Sequence, residues 1–242
     1  MATLFHVSDI HFGAEDPAAI TWFASIVHAE QPDAVVVTGD LTMRARHTEF
    51  AAATAWLEGL GRPVTVEVGN HDLPYFNPFA RFLQPYARYG RLERMVERPL
   101  EIAGVAIVPL RTTARFQWRL NWSKGHVSDG ELRLTLQQMA AASADRFAIV
   151  AGHHPLIEGG TRGTAHTRGG ADALARLAAA GVRAVLSGHV HDPFDRAVDV
   201  GRETIRLIGA GTLSQRVRST PPSFNELRIE GAALAVTVRE MR

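Results

Sequence analysis

The chain has 242 residues, of which 46% are hydrophobic and 21% charged; it is long enough to bury a full core and excludes disordered, collagen-like and low-complexity classes. Lysine and arginine number 26 against 25 acidic residues, a formal net charge of +1, so no overall polyelectrolyte pull toward nucleic acid or membrane is expected. Cysteine is absent, which removes disulfides, thiolate nucleophiles and Cys-ligated metal sites. The first residues lack a basic stretch followed by an apolar one, and no apolar run reaches membrane-spanning length. A cytoplasmic protein without a membrane partner is expected.

In chain order, Thr3–Val7 reads as a strand. Asp16 followed by Pro17 opens a helix, with a capping carboxylate and then proline at the first helical position. Ile20, Phe23, Ala24 and Val27 share one face of it. Ala34–Thr38 is a β-branched run and predicts a buried strand. Phe50, Leu57 and Leu60, with Trp56 alongside, predict a helix, and Val64–Val68 a third strand. This strand–helix alternation argues for an α/β fold with parallel pairing in its first half. Residues 78–98 read as a helix with Phe79, Phe82, Leu83 and Tyr86 on one face, and Glu101–Leu110, interrupted by Gly104, as a hairpin. Ser128 and Glu131 form a capping box that opens a helix to about Ala142. Phe147–Ala151 is a strand, Ala171–Ala180 a helix and Ala184–Ser187 a strand. Beyond residue 195 only short strands follow, at Arg196–Val200, Glu203–Ile208, Phe224–Ile229 and Leu234–Arg239, and antiparallel pairing is expected there. No repeat or linker divides the chain, so residues 1–242 read as one domain; Gly159–Gly170 is a loop.

Five polar clusters follow apolar runs: Asp9-Ile10-His11, Gly39-Asp40, Gly69-Asn70-His71-Asp72, Gly152-His153-His154-Pro155 and Gly188-His189-Val190-His191. Open α/β sheets bind ligands outside the carboxyl ends of their strands, so these clusters are expected to converge. Carboxylate, imidazole and amide oxygen suit zinc, manganese or iron. The i, i+2 spacing of Asp9/His11 and of His189/His191 places each pair on one side of extended backbone. Taken singly, an Asp-x-His is weak evidence, a Gly-Asp is usually a turn, and a His-x-His is more often structural than a ligand. Five such clusters at successive strand ends carry the functional reading.

Together, Asp-x-His, Gly-Asp, Gly-Asn-His-Asp, Gly-His-x-Pro and Gly-His-x-His resemble the calcineurin-like metallophosphoesterases, over roughly residues 3–215. The resemblance implies a four-layer α-β-β-α sandwich of two mixed sheets. It also implies two metal ions (manganese, iron or zinc), with Asp40 as the bridging carboxylate. Asp9, His11 and His191 would complete the first ion's ligands, and Asn70, His153 and His189 the second's. His71 would contact the phosphate and give a proton to the leaving group, Asp72 would hold the Asn70–His71 turn, and His154 has no assigned role. Many relatives carry a polar partner for the catalytic histidine three residues after the bridging aspartate; here that residue is Met43. Because histidine ligands bind metal only when neutral, activity is expected to fall in acid.

The expected partner is a small-molecule phosphoester, and a phosphodiester of the cyclic-nucleotide or glycerophosphodiester type is the first choice. Phosphomonoesters and a lipid A precursor pyrophosphate are the alternatives. A metal-dependent DNA exonuclease fits less well, since the charge is balanced and nucleic acid is not expected. A metal-free scaffold is opposed by the filled ligand positions. Self-association into a homo-oligomer is compatible with the sequence. Residues 75–98, 111–124 (with Arg111, Arg115, Trp118, Arg119, Trp122 and Lys124) and 156–170 (with Arg162, His166 and Arg168) are the segments expected to shape the pocket.

Overall fold

The computed structural model describes residues 1–97, 100–118, 121–142 and 145–242. Two five-stranded sheets are stacked face to face. The first is built from β1 (Ala2–Val7), β2 (Ala34–Val37), β3 (Val64–Val66), β9 (Ser223–Glu230) and β10 (Ala233–Glu240), in the order β10-β9-β1-β2-β3. The second holds β4 (Val105–Pro109), β5 (Phe147–Ala151), β6 (Ala184–Ser187), β7 (Phe194–Val200) and β8 (Glu203–Gly209), in the order β4-β5-β6-β8-β7. Both are mixed: β1, β2 and β3 run parallel and β9 runs antiparallel between β1 and β10, while β4, β5, β6 and β8 run parallel with β7 reversed.

The apolar runs form central strands because both of their faces are covered. Leu4, Val36 and Leu227 of the first sheet meet Ile149, Leu186 and Ile208 of the second. On its outer face the first sheet packs Phe5, Val35 and Val37 against Phe23 of α1 (Pro17–Glu30) and Phe50 and Leu57 of α2 (His47–Gly59). The second sheet packs Val108, Val150 and Leu207 against Leu132 of α5 (Asp129–Ala141) and Leu174 and Leu177 of α6 (Gly170–Ala179). Helix, sheet, sheet and helix thus form four layers around three apolar seams. The helix starts are where the caps place them: Asp16 accepts from the Ala18 and Ala19 amides, and Ser128 from that of Glu131.

Three expectations are corrected. Residues 78–98 do not form one helix: α3 (Pro78–Leu83) ends before Pro85 and α4 (Ala87–Val96) begins after it, because proline can neither donate into a helix nor let its predecessor stay helical. Position 98 lies outside the described residues, as does Arg119. Residues 101–110 supply a single strand, β4, whose partner is β5 in parallel register and not a hairpin mate. Parallel pairing also extends into the second half, where β8 lies parallel to β6.

Glu67, just past β3, is buried, and burial together with Glu97 and Glu93 pushes its carboxyl well above the ordinary value, against the pull of Arg111. A carboxyl raised in the folded state holds its proton more tightly than in the unfolded chain, so its contribution to stability is fullest in acid and is lost as the pH rises. Glu67→Gln removes the cost of ionising the group. Its melting temperature should match the wild type's near about pH 4 and exceed it near about pH 8, by about 2–4 °C for each kcal/mol recovered. Thermal unfolding of both proteins across that range checks this, and an equal difference at every pH would contradict it.

Candidate metal centre

The five clusters converge on the edge where both sheets present the ends of their parallel strands. Asp9 and His11 follow β1, Asp40 follows β2, and Asn70 and His71 lie beyond β3, all from the first sheet. His153 follows β5, and His189 and His191 follow β6, from the second. Their backbone is not extended. Asp9, His11, Asp40, His189 and His191 all adopt left-handed φ angles, between 51° and 69°. Non-glycine residues rarely do so, and held strain of this kind gathers at functional sites. Consecutive kinks, and not strand pleat, aim each Asp-x-His or His-x-His pair inward.

Two glycines make the convergence sterically feasible. A Cβ on Gly69 would fall 2.1 Å from the Asp40 amide nitrogen, so the two turns touch backbone to backbone. A Cβ on Gly188 would overlap the Ser8 hydroxyl and lie 2.6 Å from Asp9 Oδ2, so the sheets abut there.

The donor atoms form two groups sharing Asp40. In the first, His191 Nε2 lies 3.1 Å and His11 Nε2 3.6 Å from Asp9 Oδ1, and His11 Nε2 lies 3.8 Å from Asp40 Oδ2. In the second, His153 Nε2 lies 3.4 Å from Asp40 Oδ2, while Asn70 Oδ1 is 3.2 Å from His153 Nε2 and 3.1 Å from His189 Nδ1. The far ring nitrogens are occupied: Nδ1 of His153 donates to the Thr38 carbonyl at 2.7 Å and that of His191 to the Arg216 carbonyl at 2.8 Å. In the neutral ring such bonds fix the tautomer and leave Nε2 as a lone pair. His11 Nε2 and His191 Nε2 face each other 3.3 Å apart. Among the described residues, the buried Asp9 Oδ1 has no hydrogen-bond donor. Lone pairs converging on an orphaned carboxylate oxygen fit cations, and nitrogen and oxygen donors without sulfur suit manganese, iron or zinc.

The electrostatics agree. Burial opposes ionisation of Asp40, yet His153, His71 and His11 outweigh it and hold the carboxyl well below its ordinary range. Burial likewise opposes charge on His153, but Asp40 raises it to about 9. Burial and His153 together push His189 down to about 3. The two aspartates thus draw positive charge into a site that solvent barely reaches.

His71 borders this group, half-buried. Its Nδ1 donates to the backbone carbonyl of Met43 at 2.8 Å, so the orienting acceptor comes from the main chain at the position where the side chain is apolar. Asp72 is fully buried and accepts from the amides of Gly69, Leu41 and Thr42 and from the Thr42 hydroxyl, tying the Asn70 turn to the Asp40 loop. His154 lies close by but both its nitrogens are engaged, Nδ1 with the Thr112 hydroxyl and Nε2 with the Ser123 carbonyl, so it anchors the segment 121–124. Arg216 was not singled out by the sequence. It sits between β8 and β9, its Nη1 3.2 Å from His71 Nε2 and 3.3 Å from His11 Nε2. No motif surrounds it, and only the fold brings it here.

Two depressions flank His71. One, of about 320 Å³, is cationic: Lys124, Arg162, Arg216 and Arg218 line it around Asp40 and His189. The other, of about 570 Å³, is lined by Tyr75, Pro78, Phe82 and Trp122, and both contain Asn70, His71, Asn121 and Ser123.

The calcineurin-like phosphoesterase family model matches residues 2–193. No match was found among curated protein sequences. Among solved structures, the chain is similar to a dimetal phosphatase from Danio rerio, with 14% identity, 99% of this chain and 96% of that chain covered, and a TM-score of 0.69. It is also similar to a purple acid phosphatase from yellow lupin seeds, with 15% identity, 99% and 51% coverage and a TM-score of 0.68. A third likeness is to the phosphopantetheinyl hydrolase of Mycobacterium tuberculosis, with 18% identity, 87% and 90% coverage and a TM-score of 0.56. At these identities the three structures speak for the fold, and the family model, which spans most of the chain, for descent. The chain belongs to the calcineurin-like phosphoesterases.

Proposed function

We propose that the protein is a dinuclear metal-dependent phosphodiesterase that hydrolyses small phosphodiesters. Asp40 would be shared by the two ions; Asp9, His11 and His191 would complete the ligands of one, and Asn70, His153 and His189 those of the other. The observation that carries the reading is the donor geometry: carbonyl-locked imidazoles turn their Nε2 atoms toward two buried carboxylates. When bound, two such ions supply Lewis acidity to phosphoryl oxygens and hydroxide at neutral pH.

The protein's own residues do the rest. Lys124, Arg162 and Arg218 draw the anion toward the donors. The Arg216 guanidinium binds a non-bridging phosphoryl oxygen, since it always donates and never accepts. His71, held by Met43 through Nδ1, presents Nε2 to the pocket, where it carries the proton that passes to the leaving oxygen as the phosphorus–oxygen bond breaks. A diester is chosen over a monoester because the cationic depression around Asp40 and His189 continues past His71 into the larger groove of Tyr75, Phe82 and Trp122, which offers room for a substituent on the phosphate. Cyclic-nucleotide and glycerophosphodiester substrates are the classes of this size.

Metal analysis of the purified protein and hydrolysis of bis(p-nitrophenyl) phosphate with added Mn²⁺ test the reading. Two ions per chain and turnover abolished by a chelator are expected. Absence of both metal and turnover under every divalent ion would leave a scaffold, and turnover of p-nitrophenyl phosphate alone would make the protein a monoesterase.

A further inference from the structure

The balanced net charge conceals a local imbalance. Residues 75–95 and 111–124 together contain seven arginines and Lys124 against one acidic residue, Glu93. The same two segments carry an unusual amount of exposed apolar surface: Phe76 is 68% exposed, Phe79 80%, Leu83 77% and Trp118 86%. Phe79 and Leu83 are four apart on α3, so they share its outer face. The helix is turned this way because its inner face is given to Arg81, which is buried and donates to the carbonyls of Ala114 and Arg115. That contact joins the two segments into one surface. Phe82 packs on Phe116 and on Trp122, ring centroids 6.2 Å apart in each case, and Phe116 on Trp118 at 4.9 Å.

Protruding aromatic and aliphatic groups within a basic rim do not form a core, and a contiguous patch of this kind marks a contact surface. We infer that this face docks on an anionic lipid bilayer. Phe76, Phe79, Leu83 and Trp118 would enter the headgroup boundary, while the exposed Arg91, Arg94 and Arg115 meet lipid phosphates. The chemistry favours lipid over a nucleic-acid strand. The rings of Phe116, Trp118 and Trp122 pack edge to face in one cluster, and not as a row of parallel faces on which successive bases would stack. The most exposed positions include an aliphatic leucine, which adds apolar area but no stacking surface. The patch is also continuous with the groove of Tyr75, Phe82 and Trp122 that leads to His71, so the face that meets the bilayer opens on the proposed active site. The proposal departs from the expectation, drawn from overall charge, of no membrane partner, because the average hides the asymmetry.

Sedimentation with vesicles tests the docking directly and, being read without substrate, separately from the metal chemistry. The full chain should co-sediment with equimolar phosphatidylglycerol and phosphatidylcholine vesicles, far less with pure phosphatidylcholine, and progressively less as salt is raised. The double variant Phe79→Glu, Leu83→Glu should partition at least about tenfold more weakly, with its far-ultraviolet circular dichroism and its turnover of soluble bis(p-nitrophenyl) phosphate unchanged. Neither residue lines the groove or the donor cluster. The proposal fails if the wild type does not sediment or if the variant binds vesicles as well as the wild type. It fails equally if the patch mediates oligonucleotide binding or dimerisation that the variant abolishes while vesicle binding is absent.

Discussion

Asp40→Asn should lose both metal ions and essentially all turnover while keeping its fold. Asp40 Oδ2 faces His153 and His11, one from each donor group, so neutralising it weakens both sites at once. Removing a partner that merely supports a ligand costs about 10–100-fold in affinity or activity; loss of a carboxylate shared by both sites should exceed about 100-fold. The fold should survive for three reasons. Asparagine has the same shape, its carbonyl oxygen can still accept the His71 amide that Oδ1 accepts at 2.8 Å, and it tolerates the left-handed backbone found here. Metal content by elemental analysis, turnover of bis(p-nitrophenyl) phosphate and thermal unfolding of the metal-free protein separate these effects. Wild-type metal content or rate in the variant would refute the bridging role.

His71→Ala should behave in the opposite way, retaining two ions per chain but losing about 10²–10⁴-fold in kcat, the usual contribution of a positioned proton donor. Its Nδ1 is committed to Met43, and its Nε2 faces Arg216 at the pocket. Yet His71 also lies within reach of His11 and Asp40, so a role as ligand is a real competitor. Two measurements distinguish them. Metal content falls only if His71 is a ligand. The loss in rate should be small for p-nitrophenolate, which leaves without help, and large for an alkoxide leaving group, which needs the proton. An equal loss for both leaving groups would place His71 in substrate binding instead.

Much of this architecture is legible in the sequence, for identifiable reasons. Thr3–Val7, Ala34–Thr38 and Phe147–Ala151 read as strands because strands covered on both faces need unbroken apolar runs. The donor clusters are legible because each stands directly after such a run. What the sequence hides is local conformation and anything set by distant packing. The i, i+2 pairs suggest strand pleat, whereas the backbone at Asp9, His11, His189 and His191 is left-handed. The apolar spacing of Phe79, Phe82 and Leu83 suggests a core-facing helix, but Arg81 takes the inner side. Arg216 is invisible because nothing near it in sequence marks a site, and the orienting acceptor of His71 is a carbonyl, a group every residue possesses.

The abutment at Gly188 has a mechanical corollary. Asp9, His11 and Asp40 hang from one sheet, and His153, His189 and His191 from the other, with the His189 amide bonded to Asp9 Oδ2 at 2.8 Å across the join. Each proposed ion would therefore be gripped from both sides of the sandwich and act as a rivet through it. Sliding one layer over the other would pull each ligand set apart, so bound cations should raise the resistance of the two halves to shear by mass action.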